Sequence, residues 1–126
     1  MTPEIDGVQS GLEGVVAFAT EIAEPDKEGG ALRYRGVDIE DLVGTLPYEK
    51  VWGLLVDGTF EPGLQPAEQH SLSVRSGDPR VDVQAAIAAL APEWGFGQLI
   101  DITDEQARTD LARASVMALS FVAQSA

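Results

Sequence analysis

Thr103-Asp104-Glu105-Gln106-Ala107-Arg108-Thr109-Asp110-Leu111-Ala112-Arg113-Ala114-Ser115-Val116-Met117-Ala118-Leu119-Ser120-Phe121-Val122 is the stretch on which the fold class turns. It opens as a capping box, with a threonine hydroxyl reaching forward and a glutamine reaching back to helix amides that lack partners. A long helix is predicted from about Asp104 to Ala126, the last residue. Leu111, Ala114, Ala118 and Val122 form one stripe along it, while Met117 and Phe121 lie together on another. A helix apolar around much of its circumference expects neighbours on several sides. No stop signal closes it, since Gln124-Ser125-Ala126 supplies no Gly, Asn or basic residue. The expectation is a truncated chain whose natural polypeptide runs on.

Upstream, Asp78-Pro79 reads as a cap followed by a proline at the first helical position, opening a helix over 78–91 with Val83, Ile87 and Leu90 on one stripe. Pro92 lies near its end. Residues 59–77 are broken by Pro62, Gly63, Pro66 and Gly77 and support only one or two turns between Pro66 and Leu72. Before them, Pro47 suits the first position of a helix running to about Asp57, with Tyr48, Val51, Trp52 and Leu55 on one face. Gly58 stands where such a helix wants a left-handed residue. Asp38 caps a short turn through Ile39, Leu42 and Val43, stopped by Gly44.

The beginning of the chain has a different period. Val15-Val16-Ala17-Phe18-Ala19-Thr20-Glu21-Ile22 is a β-branched, apolar run that suits a strand. Glu24-Pro25-Asp26-Lys27-Glu28-Gly29-Gly30 is turn chemistry, and Ala31-Leu32-Arg33-Tyr34-Arg35 alternates as a half-exposed strand would. A hairpin with a long turn is predicted. Residues 1–10 are polar, with Pro3 and Gly7, and read as a loose, flexible arm. The fold class is therefore mainly α with a short leading β-hairpin.

Composition narrows the functions. The chain has 126 residues, 44% of them hydrophobic, enough for one packed domain. Lys and Arg number 8 against 21 Asp and Glu, a net charge of -13. Such a surface repels phosphate backbones and anionic membrane faces, so neither nucleic acid nor membrane is an expected partner. Val116 to Ala123, the most apolar run, is far too short to span a bilayer. With no secretory pattern in Met1–Ser10, a cytoplasmic protein is expected. Cysteine is absent, which excludes disulfides, thiolate metal sites and cysteine nucleophiles.

Candidate chemistry is sparse. His70, the one histidine, stands in the polar stretch Pro66-Ala67-Glu68-Gln69-His70 and reads as a solvated surface residue without a local nucleophile or orienting carboxylate. Asp101, Asp104 and Glu105 lack the glycine and ligand spacing of a calcium loop and read as acids around a helix N-terminus. Gly95-Phe96-Gly97-Gln98-Leu99-Ile100 starts like a dinucleotide fingerprint, but Ile100 takes the third glycine position and a connector is the simpler reading. Arg33 and Arg35 could pair with an anion or serve structure or dimer packing. Trp52 and Trp94, beside apolar stripes, are expected in the core rather than as stacking platforms. No residue is assigned a catalytic, cofactor or metal role. Residues and spacing alone stop at an acidic, mainly helical chain.

A resemblance goes further. Gly11-Leu12-Glu13-Gly14-Val15-Val16-Ala17, then Thr20, Ile22 and Asp26, then Leu32-Arg33-Tyr34-Arg35-Gly36-Val37-Asp38-Ile39-Glu40-Asp41-Leu42 resemble the opening of bacterial citrate synthases. Tyr48-Glu49-Lys50-Val51-Trp52-Gly53-Leu54-Leu55-Val56-Asp57-Gly58 is similar to the family's next helix. Asp78 to Asp101 departs from the usual pattern, with an insertion-like Pro92-Glu93-Trp94-Gly95-Phe96-Gly97, and resembles the second citrate synthase type of actinobacteria.

The resemblance implies that 11–126 is the N-terminal portion of the family's large helical domain, incomplete at about a third of a subunit. It implies an acyl-CoA-condensing transferase that joins acetyl-CoA to oxaloacetate, giving citrate and CoA without a metal. It also implies a homodimer packed through 78–91 and 104–126. The family's catalytic histidine and aspartate motifs fall later in its subunits and match nothing here, so this segment is expected to be scaffold and inactive by itself. A 2-methylcitrate synthase using propionyl-CoA, or a stand-alone helical interaction module, are the alternatives. Missing neighbours would leave Met117, Phe121 and Val122 exposed and lead the isolated chain to self-associate or aggregate.

Overall fold

The computed structural model describes residues 15–16, 18–26 and 28–126. The arm over 1–10 and the Gly11–Gly14 motif lie outside the described residues. The elements run β1 (Ala23–Pro25), β2 (Leu32–Tyr34), β3 (Val37–Asp38), α1 (Ile39–Leu42), α2 (Tyr48–Asp57), α3 (Pro79–Glu93) and α4 (Asp104–Ser125). Mainly α with a leading antiparallel sheet is therefore the observed class.

The hairpin forms, but later in the chain than its β-branched run. The described residues between Val15 and Ile22 are not strand; Val16 is 88% and Phe18 78% exposed, with no apolar face to cover them. Thr20 Oγ1 accepts from the Ile22 amide at 3.2 Å and the chain bends there. Pairing begins at Ala23↔Tyr34 and continues through Glu24↔Arg33 and Pro25↔Leu32, so two residues expected in the turn lie in the strand. Asp26 starts the turn, its side chain accepting from the Glu28 amide. A third strand, which the sequence did not announce, pairs Arg33↔Asp38 and Tyr34↔Val37 across Arg35-Gly36. Both turn residues have positive φ, 46° and 82°, the geometry that suits tight hairpins.

The caps form where local chemistry placed them. Asp38 accepts from Glu40 N and Asp78 from Arg80 N, each at 3.0 Å. Gly58, at φ 74°, closes α2 by donating to the Leu54 carbonyl. Pro47 is the N-cap of α2 rather than its first helical residue. The face that α2 buries is Gly53 and Leu54; Tyr48 is exposed and Val51, Trp52 and Leu55 are half-buried. The reason is the segment after Gly58, which doubles back along α2. Leu64 N donates to the Glu49 carbonyl at 3.0 Å, and a Cβ on Gly53 would stand 2.9 Å from the Thr59 carbonyl oxygen. From Pro66 to Leu72 no helical turn forms.

α3 and α4 pack together over Leu72, Ala86, Leu90, Met117 and Phe121, with Val83, Ile87 and Trp94 against them. This corrects the reading of α4. Met117 and Phe121 are 0% exposed, so they cannot drive self-association; Leu111 and Val122 of the other stripe are each 51% exposed. The bulkier stripe is the one that fills the core, because larger side chains remove more apolar area from water. Thr103 accepts from Gln106 N as a cap should, but the Gln106 side chain turns forward to Asp110 instead of back. Asp110 is buried and needs a donor.

Candidate functional site

Polar chemistry concentrates where the 63–72 segment crosses α4. His70 is not a solvated histidine. Its ring meets Trp94 edge-on at 5.7 Å and Phe121 at 6.2 Å, and Nε2 lies 3.4 Å from a Glu93 carboxylate oxygen. The sequence hid this because its partners come from α3 and α4, far along the chain. Gln124 fastens the same segment from the end of α4: its amide donates to the His70 carbonyl at 2.8 Å and accepts from Leu72 N at 3.1 Å.

Arg113 stands above this cluster. Its guanidinium carbon is 4.1 Å from the Trp94 ring centroid, and Nε and Nη2 donate to the two oxygens of Glu68. One turn and a half earlier on α4, Arg108 donates Nε to Asp57 Oδ1 at 2.8 Å and a second N–H to Oδ2, while lying 5.6 Å from the Trp52 ring. That hydrogen bonding holds the Asp57 carboxyl below its ordinary pKa, opposed by burial and aided by the Arg108 charge. Between the two arginines runs a groove of about 220 Å³ lined by Leu64, Pro66, Ala112 and Val116 among others. Both cations at its rim are already matched by carboxylates. Trp52 and Trp94 are half-buried, each under an arginine, so neither is a free stacking platform.

The remaining candidates fall into structural places. Arg35 reaches α2, Nε donating to the Leu55 carbonyl at 3.0 Å, where a cation also suits the negative helix end. Arg33 is exposed on β2. Gly95-Phe96 closes α3 just past its C-cap Trp94: Trp94 N donates to Leu90 O, Phe96 N to Ala91 O, and Gly95 takes φ 68°, the Schellman pattern. Asp82, which the sequence reading passed over, is 3% exposed and accepts from the Ser76 amide and hydroxyl, both at 2.7 Å. The amide, then the hydroxyl, lower its pKa against the opposing effect of burial. Among the described residues no group of three or more His, Asp or Glu could hold a metal ion, and no helix is long and apolar enough to cross a membrane. What this arrangement does chemically is hold one segment against another.

Comparison with known proteins supplies what geometry does not. A family profile described as "Citrate synthase, C-terminal domain" matches residues 11–93. A protein of Mycobacterium tuberculosis named "Putative citrate synthase 2" is 65% identical over 127 aligned residues, covering 100% of this chain and 34% of that protein. A citrate synthase of Acidithiobacillus ferridurans is 30% identical, covering 90% of this chain and 33% of its own. "2-Methylcitrate synthase 2" of Corynebacterium glutamicum is 39% identical over 61 residues, 48% of this chain and 16% of its own. The chain spans about a third of the length of the curated relatives that it matches most fully.

Proposed function

This chain belongs to the citrate synthase family, and from that premise we propose that it is the scaffold portion of an enzyme condensing acetyl-CoA with oxaloacetate to citrate and CoA. The observation that carries the reading is the 65% identity maintained along the whole chain. The geometry supports a scaffold role. Arg108, Arg113 and Arg35 are each engaged by Asp57, Glu68 or the Leu55 carbonyl, and His70 is wedged among aromatic rings. The reacting groups belong to other parts of the subunit, with no metal or further cofactor in the condensation. The protein works in the cytoplasm, within the tricarboxylic acid cycle.

The partner in this reading is a second copy of the subunit, packed through the outer faces of α3 and α4. Val81, Leu111 and Val122 there are about half exposed and offer the apolar surface an interface core needs. Met117 and Phe121 take no part. A second reading, a 2-methylcitrate synthase condensing propionyl-CoA, draws on the match to the Corynebacterium glutamicum protein.

The test is a chimera in which this chain replaces the matching third of the Mycobacterium tuberculosis protein. A folded chimera should release CoA thiol from acetyl-CoA only when oxaloacetate is present, and preference for propionyl-CoA would favour the second reading. A chimera with native helical content and no turnover on either substrate would overturn both and favour a non-catalytic interaction module.

A further inference from the structure

The described residues fall into two parts that share little apolar surface. The core of Leu72, Ala86, Leu90, Met117 and Phe121, with its flanking Val83, Ile87 and Trp94, takes every member from residues 72–121. Leu42 and Leu54 are buried apart from it, among residues 18–64. The segment 58–64 belongs to that first part, since Leu64 N bonds the Glu49 carbonyl and Gly63 lies against α2. Across the junction, Leu64 and Gly63 line the groove beside Ala112 and Val116, and Tyr48 faces Val116 and Leu119 across a second shallow groove.

Among the described residues, one long-range hydrogen-bonded link joins the two parts: Arg108 on Asp57, with the guanidinium over Trp52. We propose that Arg108, Asp57 and Trp52 form an ionic latch that holds residues 18–64 against α4 and opens as salt rises, while α3 and α4 stay packed. The pair is suited to this. Its side chains are 38% and 22% exposed, so ions reach it and screen it. Exposed pairs of this kind, even with a ring beneath the cation, hold an equilibrium only modestly to one side. Opening swings the first part about the exposed Gln65-Pro66-Ala67 stretch and uncovers Leu64 and Val116. The latch thus gates an apolar groove, independently of the reaction the family performs.

Absence of native cysteine makes the test clean. Spin labels at Glu40→Cys on α1 and Gln84→Cys on α3, both exposed positions, report the distance between the parts. At low salt a distribution dominated by one narrow peak is expected, its broad open component growing near 1 M salt, where the screening length falls to about 3 Å. Arg108→Gln should show the broad distribution already at low salt, its open fraction raised roughly two- to tenfold, with far-ultraviolet circular dichroism unchanged. Exchanging the charges, Asp57→Arg with Arg108→Asp, should restore the narrow one. A distribution indifferent to salt in the unsubstituted latch would overturn the proposal, as would salt broadening that persists undiminished in Arg108→Gln.

Discussion

Gly53→Ala sets two effects of known size against each other. Gly53 lies inside α2, where alanine is favoured over glycine by about 0.8–1 kcal/mol. Helix propensity alone therefore expects stabilisation. Yet the added Cβ would stand 2.9 Å from the Thr59 carbonyl oxygen and 3.0 Å from the Gly63 Cα. Both are backbone atoms and cannot rotate aside. Relief requires residues 59–63 to shift, and they are pinned by Leu64 N on the Glu49 carbonyl. Gly63 cannot yield easily either, because its own φ is 76° and its Cβ position is 2.8 Å from Glu49 O. Overpacking a closed site costs roughly 1–3 kcal/mol, which exceeds the propensity gain. The expected net is a loss of up to about 2 kcal/mol, or a fall in Tm of up to roughly 10 °C. Thermal melting followed at 222 nm measures it. Gly44→Ala is the control, with φ 73° but nothing within 4 Å, so it carries backbone strain without crowding. A Gly53→Ala chain that melts higher than the parent would refute the close-approach reasoning.

Other perturbations probe other parts. Phe121→Ala, at a fully buried position, should cost about 3–5 kcal/mol in urea unfolding; a loss under about 1 kcal/mol would mean that α3 and α4 do not share this core. Val122→Asp should change stability by no more than about 0.5 kcal/mol while weakening self-association in sedimentation, since Val122 faces outward. Thr103→Ala should remove roughly 1 kcal/mol by losing the cap on Gln106 N, seen as a lower urea midpoint. Asp57, Asp78 and Asp82 all have lowered pKa values, so their stabilisation is complete above the ordinary carboxylate value of about 3.9 and drains away as pH falls below it. Asp82→Asn should flatten the decline in urea midpoint between about pH 4 and pH 2, and an unchanged slope would show that Ser76 does not hold this carboxylate.

What the sequence made legible was local. Asp38, Asp78, Thr103 and Gly58 each mark a helix end through a hydrogen bond to a residue a few positions away, so each reads from a short window. What it hid depended on partners brought from a distance. Val15–Ile22 has the composition of a strand, but pairing starts where a partner exists, at Ala23. The two stripes of α4 look alike until α3 covers one of them. His70 looked solvated because Trp94, Glu93 and Phe121 are distant in sequence. Arg108 and Arg113 gave no signal at all, since an arginine on a polar helix face is commonplace and only Asp57 and Glu68 reveal its role. Family membership came from the residue pattern between Gly11 and Gly58, which periodicity could not have supplied.

If the chain is the scaffold portion proposed above, it holds a citrate synthase together without performing its chemistry. The direct measurement is release of CoA thiol by the purified 126-residue chain incubated with acetyl-CoA and oxaloacetate. The expected result is a rate indistinguishable from the blank without protein. Turnover that requires oxaloacetate, scales with the amount of chain and disappears on His70→Gln would contradict the claim and place a reacting group within this segment.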